Sequence, residues 1–389
     1  MIAAAVVIGQ ASLSTADRVV GQATLAPADH KGRPNIKTAV VHHAAPGIQS
    51  LPGNVDIGWL CAITFVLAAV ACAVVTPLVR RMAFRVGVFD EPDGDRRVHT
   101  EPTPRLGGIA IFLGFMLALF TTLNFALTHS YVIHHYLDTP DLAHLIGLLF
   151  GGTLMMGVGL WDDIMAMRPR HKFLAQLVVS LVAVVMYGFT IDQLKVPHFG
   201  LVDFGWFAVP FSIFWYMGMV NAINFLDGLD GLVAGVTLIS SLTMLVVSIW
   251  KGQYLVAITM AALAGSAAGF LPFNYNPARI FMGDGGSLFI GFVLASAAVE
   301  GKAKGAIAIS LVVPFLIILA FPILDTANVI VKRLRAGTPL FAADRSHTHH
   351  RLLDLGLSQR AAVNVIYAVC GALCAIVLVL ARPGGPHLF

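Results

Sequence analysis

The sequence predicts an all-α, polytopic integral membrane protein with about ten transmembrane helices and five loops on one membrane face that carry the chemistry. Three observations predict it. The 389 residues are 57% hydrophobic and only 12% charged, with a mean hydropathy of +0.81; a soluble globular domain carries about 25% charged residues. Apolar runs close to the ~20 residues that cross a bilayer recur along the chain. The polar residues left over are not scattered but gather between these runs on one side.

Residues 1–56 are rich in Ala, with His, Pro and Gly and no periodic pattern, and are expected to form a disordered extension. The first dozen residues are apolar, but no basic segment precedes them, which argues against a signal peptide. A membrane-embedded domain is expected over 57–382, followed by a short tail, 383–389. The apolar runs fall at 57–79, 106–127, 142–161, 171–190, 205–224, 232–250, 254–272, 285–300, 305–331 and 361–381. The eighth is short and Gly-rich. The ninth holds Pro314 and Pro322, which remove helix hydrogen bonds and predict a kink. Cys61, Cys72, Cys370 and Cys374 all lie inside apolar runs without CxxC spacing, so they read as core residues and not as a disulfide framework or zinc site.

Basic residues set the expected orientation. The loops 80–105, 162–172, 225–231, 273–284 and 332–360 carry 16 Lys or Arg, whereas the opposite connections and the tail carry only Lys195, Lys251, Lys302, Lys304 and Arg382. The positive-inside rule places the first set in the cytoplasm and both termini outside. The net charge of +4 is modest, and no nucleic-acid partner is expected.

In the first of these loops, Arg96, Arg97, His99 and Arg105 form a compact cationic block suited to phosphate. Gly107 and Gly108 open the next helix, where bare amides would also favour an anion. Arg80, Arg81 and Arg85 read as ordinary positive-inside anchors. The second loop begins Trp161-Asp162-Asp163 and continues through Arg168, Arg170, His171 and Lys172. Adjacent acids on a helix cannot both face one ligand, so separate jobs are expected for them; an acidic cap answering the basic residues is the alternative. In the fourth loop, Phe281-Met-Gly-Asp284-Gly-Gly-Ser287 puts a carboxylate and glycines at a helix entrance, where Mg²⁺ could be held or where a turn and N-cap would suffice. The fifth loop carries His347, His349 and His350 between Arg345 and Arg351. That spacing is poor for a closed zinc site and suits donors to a diphosphate. Asp325 would cap or orient this region.

The third loop is the most unusual. From Asn221 to Leu232 the chain places Asn221, Asn224, Asp227 and Asp230 at every third position. On a helix they would spiral over about half the surface; Gly228 and Gly231 predict that the spiral breaks into a loop. Such a group at the mouth of a membrane helix is too costly to be filler. Together the five loops hold the inventory of metal-assisted phosphoryl transfer: carboxylates, amides and cationic donors on one face. No Walker A motif is present, which excludes a P-loop nucleotide motor, and the CDP-alcohol phosphotransferase pattern is absent.

Asn221-x-x-Asn-x-x-Asp-Gly-x-Asp-Gly, Phe-Met-Gly-Asp-x-Gly-Ser ending at Ser287, and His347-x-His-His occur in this order. In these motifs the chain, from about 57 to 360, resembles the polyprenyl-phosphate N-acetylhexosamine-1-phosphate transferases of glycosyltransferase family 4. The resemblance implies transfer of a HexNAc 1-phosphate from a UDP-sugar donor to a polyprenyl phosphate at the bilayer, with release of UMP and with Mg²⁺, or Mn²⁺ as a substitute. It implies Asp284 as a magnesium ligand, joined by Asp162, which would also activate or position the acceptor as base, nucleophile or positioning group. Asp163 matches an essential neighbour. Asn224, Asp227 and Asp230 would line the donor and metal site with Asn221. Asn274 and Phe281 match positions near the uracil; His347, His349 and His350 match diphosphate ligands; and Arg97, His99, Arg105, Lys172 and Arg351 complete the substrate contacts.

The muramoyl-pentapeptide branch usually has three consecutive His, whereas Thr348 interrupts the run here and Arg351 follows it. Arg97-x-His99, Pro104-Arg105-Leu-Gly-Gly and Ala343-Asp-Arg look like the N-acetylglucosamine branch, which initiates cell-envelope polysaccharides such as O-antigen. UDP-MurNAc-pentapeptide, UDP-GalNAc or a deoxy-HexNAc stays open as donor, and a second copy of the chain as partner. A transporter or channel is the rival of another class, but the runs 106–127, 171–190 and 232–250 offer it little polar path. The expected location is a bacterial inner membrane, with the site facing the cytoplasm.

Overall fold

The computed structural model describes residues 57–90, 102–128, 139–196, 200–300 and 356–383. Among them run α1 (Ile57–Val86), α2 (Gly107–Thr128), α3 (Thr139–Met165), α4 (Pro169–Tyr187), α5 (Ala208–Leu226), α6 (Leu232–Trp250), α7 (Tyr254–Asn274), α8 (Gly283–Glu300) and α9 (Gln359–Ala381). Two short antiparallel pairs interrupt the helices: β1 (Phe89–Asp90) with β2 (Thr103–Pro104), and β3 (Gln193–Val196) with β4 (Gly200–Asp203). In the first, Phe89 faces Pro104 and Asp90 faces Thr103.

Eight of these helices, all but α8, are long and apolar enough to cross a membrane. The chain is an all-α polytopic membrane protein. The expected run 285–300 is α8, of 18 residues with Asp284 in its first turn. The expected run 305–331, with Pro314 and Pro322, lies outside the described residues, as do 1–56, so the described residues do not reach the count of ten.

Composition explains the layering. In α8 every residue from Gly285 to Glu300 is buried, and α7 is buried over Leu255–Ala267. These two helices form the centre. Around them α1, α4 and α9 turn outward stripes such as Val66, Val70 and Val74, or Val178, Leu181 and Val185, which stay exposed within the protein. A bilayer is the solvent those faces suit.

Because lipid gives little hydrophobic drive between helices, close packing has to hold them. Small residues permit it. A Cβ on Gly265 of α7 would come within 2.2 Å of the Phe65 carbonyl on α1, and one on Gly269 within 2.2 Å of the Ala69 carbonyl. One on Gly108 of α2 would lie 2.2 Å from the Gly286 amide nitrogen of α8. The cysteines read as core residues are free and buried.

Local signals set the helix ends that matter for function. Pro169 opens α4, where its missing N–H costs nothing. α5 stops at Leu226, and Gly231, at φ 79°, closes the intervening turn and caps α6. Left-handed backbone of that kind is natural for glycine.

Candidate active site

The functional side chains come from helix ends that meet at one end of the bundle. The loop before α8 fastens them. Phe281 N donates to Pro104 O at 2.7 Å, while Gly107 N and Gly108 N donate to Phe281 O and Met282 O at 2.9 and 2.7 Å. Arg80 Nε reaches Arg279 O at 3.0 Å. These bonds correct one expectation: the amides opening α2 are not bare and are spent on the adjoining loop, so they offer no anion site.

At the centre, four side chains from four elements form one network. Lys172 Nζ, from the first turn of α4, lies 2.6 Å from Asp284 Oδ2, 2.9 Å from Asp162 Oδ2 and 3.3 Å from Asn224 Oδ1. Asn224, near the end of α5, donates from Nδ2 to Asp284 Oδ1 at 2.6 Å and to Ser287 Oγ at 2.9 Å. Both oxygens of Asp284 are therefore held, one by an ammonium and one by an amide. Asp162 spends its other oxygen on Met167 N at 2.6 Å, which fixes the turn between α3 and α4.

The adjacent acids take different partners. Asp163 accepts from Asp284 N at 2.8 Å and Gly285 N at 2.9 Å. It caps α8 from another helix, where a carboxylate meets unsatisfied amides and the positive end of the dipole. The amides of Asp284 and Gly285 at the entrance of α8 are therefore taken up by Asp163. Space is tight here: a Cβ on Gly159 would fall 2.3 Å from the Asp284 carbonyl.

The Asn221–Leu232 stretch divides its work. Asn221 Nδ2 donates to Gln176 Oε1 at 2.9 Å, one turn further into the bundle than the Lys172–Asn224 contact. Asp230 is buried and accepts from Asn276 Nδ2 and Ala278 N, both at 3.0 Å. Asp227, at the end of α5, is half-buried, and no described residue donates a hydrogen bond to its carboxylate. Burial first, then the nearby charges of Asp284, Asp163 and Asp230, push its pKa up to about 8.

Three other candidates are tied to neighbouring loops, and only Asn274 is buried. Asn274 is buried, accepting from Gly231 N at 3.1 Å and donating to Ile280 O at 3.0 Å. It joins two loops. Arg105 pairs with Asp90 across the β1–β2 ladder, while Phe281 is half-buried with its backbone in the junction described above. Arg96, Arg97, His99, Asp325, Arg345, His347, His349, His350 and Arg351 lie outside the described residues.

Sequence reasoning missed Gln176, Asn276, Gln359 and Tyr367. Asn276 lies in the Asn-Tyr-Asn-Pro run, and Tyr367 follows Asn364 at helical spacing in an otherwise apolar segment. Those were the available signals.

Among the described residues, no group of three or more His, Cys, Asp or Glu is gathered closely enough to hold a metal ion alone. A smaller donor set is present. Asp284, Asp162 and Asn224 already converge oxygens on one cation, the Lys172 ammonium, and Asp227 remains without a donor among the described residues. Two or three carboxylates of this kind, completed by substrate oxygens and water, fit a hard divalent cation.

The family model for glycosyl transferase family 4 matches residues 145–302, from α3 through α8. The chain is 35% identical over 308 residues to a probable undecaprenyl-phosphate N-acetylglucosaminyl 1-phosphate transferase of Bacillus subtilis (strain 168), covering 79% of this chain and 81% of that protein. It is 36% identical over 332 residues to a decaprenyl-phosphate N-acetylglucosaminephosphotransferase of Mycobacterium tuberculosis (strain ATCC 25618 / H37Rv), covering 80% of each. A phospho-N-acetylmuramoyl-pentapeptide-transferase of Listeria monocytogenes is 29% identical over 309 residues, covering 75% of this chain and 88% of that protein. With its helical membrane fold and these relatives, the chain belongs to glycosyl transferase family 4.

Proposed function

We propose that the protein transfers N-acetylglucosamine 1-phosphate from UDP-N-acetylglucosamine to a polyprenyl phosphate such as undecaprenyl phosphate, releasing UMP. The proposed location is the cytoplasmic face of a bacterial inner membrane, where the product would begin a cell-envelope polysaccharide. The observation that carries the reading is the Asp162–Lys172–Asp284–Asn224 network at the end of a membrane bundle. A lipid-borne phosphate and a soluble nucleotide sugar can meet only at such an interface.

In the reaction an oxygen of the acceptor phosphate attacks the β-phosphorus of the donor. The bond from that phosphorus to the bridging oxygen breaks, and UMP leaves with the electron pair. One phosphoanhydride replaces another, so the chain has little covalent work and must position and neutralise. Lys172, held between two acids, supplies positive charge that can turn to the donor diphosphate as charge moves onto UMP. Asn224 fixes the Asp284 carboxylate, and Asp163 fixes the backbone beneath it. Asp162 would orient the acceptor phosphate.

Mg²⁺, or Mn²⁺ in its place, would be held by Asp284 with Asp227 and Asp162, and when bound it would neutralise the diphosphate. Arg97, His99, His347, His349, His350 and Arg351 are proposed as further phosphate donors, and Phe281 as part of the surroundings of the uracil, with Asn274 behind it holding the two loops together rather than touching the base. A donor panel tests the reading. Purified protein with undecaprenyl phosphate and Mg²⁺ is expected to release UMP and form lipid-diphosphate N-acetylglucosamine from UDP-N-acetylglucosamine. Product from UDP-MurNAc-pentapeptide alone would overturn the donor, and no UMP from any donor would overturn the reaction class.

A further inference from the structure

The C-terminal helix contributes nothing to the acid network, yet its polar side chains reach the loops that carry it. Tyr367 OH donates to Gly231 O at 2.5 Å. Its ring lies so close over Gly235 that a Cβ there would come within 2.1 Å of it. Two turns earlier, buried Gln359 accepts from Asn276 Nδ2 at 2.6 Å. The same amide group donates to Asp230 Oδ2 at 3.0 Å. Arg360 Nε holds Asn276 O at 2.9 Å, and Tyr275 OH donates to Asn364 Oδ1 at 3.0 Å.

These contacts grip one short turn from two directions. One grip is on Gly231, where the turn enters α6. The other runs through Asn276 to Asp230. Asp227 lies three residues before the second grip and four before the first. A helix that merely docked would need only apolar packing, and α9 has that along its length, in Ile366, Cys370, Cys374 and Val377, all buried. The polar grips on the site loops come from Gln359, Arg360, Asn364 and Tyr367, in its first three turns.

We infer that Tyr367 and Gln359 are positioning residues through which α9 holds the Asp227–Gly231 turn, and with it the donor-facing wall of the site, in the geometry that donor binding needs. The inference rests on the reading of the site given above. The grip acts on Gly231 and Asp230 and touches neither Lys172, Asp162 nor Asp284, so loosening it affects donor binding more than the chemical step.

The test uses Tyr367→Phe and Gln359→Met in the full-length protein. Tyr367→Phe keeps the ring over Gly235, and Gly231 O keeps its bond from Gly235 N, at 2.9 Å, so the fold has no orphaned carbonyl. Removal of one hydrogen bond is expected to raise the KM for UDP-N-acetylglucosamine about fivefold, with kcat and the KM for undecaprenyl phosphate within about twofold. Melting temperatures should stay within about 2 °C of the parent. Hydrogen–deuterium exchange gives a readout independent of activity: peptides covering 227–236 should exchange faster in Tyr367→Phe, and those of α8 should not change. Unchanged exchange over 227–236 overturns the inference. So does an unchanged donor KM, or an equal loss with both substrates accompanied by a lower melting temperature. If the parent released no UMP from this donor, the activity reading would fall, and the exchange difference would still decide whether the grip exists.

Discussion

The ammonium of Lys172 lies 2.6 Å from Asp284 Oδ2, and this ion pair ties the start of α4 to the start of α8. The same ammonium lies 2.9 Å from Asp162 Oδ2. One positive charge thus serves two carboxylates in a half-buried place, where losing it leaves both uncompensated. Lys172→Met is expected to lower kcat/KM by more than about 100-fold. Lys172→Arg should not restore it, because a planar fork cannot replace a compact ammonium between three oxygens. UMP release by the purified variants measures this, and retention of activity by Lys172→Met would remove the lysine from the mechanism.

Asp284 and Asp162 share that cation but differ in their second partners. In Asp284→Asn, the amide can still accept from Asn224 with its oxygen but must then turn its NH₂ toward Lys172. Asp284→Asn and Asp162→Asn should each remove nearly all turnover. Normal UMP release by either variant would withdraw the role proposed for that residue.

Asp163 holds two α8 amides at 2.8 and 2.9 Å, and an asparagine can accept from only one of them. Asp163→Asn should cost about 1–2 kcal/mol of stability as an impaired cap. Activity should fall as well, since Asp284 rides on the same turn. Thermal unfolding in detergent, read beside activity, separates the two effects: a full melting temperature would count against the cap.

Asp227 yields a pH dependence. In the folded protein it holds its proton up to about pH 8, against an ordinary value of 3.8. Between those values the folded state binds one more proton than the unfolded state. Its contribution therefore favours folding at low pH and is lost as pH rises through about 8. Metal-free protein should lose stability across that window, and Asp227→Asn should reduce the slope, leaving the part due to Asp163, whose pKa burial pushes up to about 7. Mg²⁺ must displace the proton to bind, so it should raise the melting temperature more at high pH than near neutrality.

Packing supplies a matched pair. A Cβ on Gly108 meets the Gly286 backbone at 2.2 Å, whereas one on Gly157 meets nothing within 4 Å. Gly108→Ala should destabilise by about 1–3 kcal/mol or more, because backbone cannot step aside as a flexible side chain can. Gly157→Ala should not destabilise. Equal melting temperatures for the two variants would contradict the close approach of α2 and α8.

The membrane class was legible because lipid imposes a coarse rule: about twenty apolar residues per crossing, with polar groups at the ends. The acid-rich turn was legible for a related reason, since Asn221, Asn224, Asp227 and Asp230 have no place in a lipid-facing helix. The partners of these residues were not. Asp162 and Asp163 are neighbours in the chain, and nothing in that adjacency says that one meets Lys172 and the other caps α8. Gly107 and Gly108 looked like open amides, and only the loop at Phe281 and Met282 shows them occupied.

By itself, then, the sequence determined the helical membrane architecture, the gathering of polar loops and the identity of the acids, because hydropathy and residue type are local properties. The tertiary structure alone decided which oxygens face a cation, which acid holds backbone, and that a tyrosine far along the chain grips Gly231. Those outcomes depend on hydrogen bonds of a few ångströms between segments up to 136 residues apart, and such distances are set only when the helices pack.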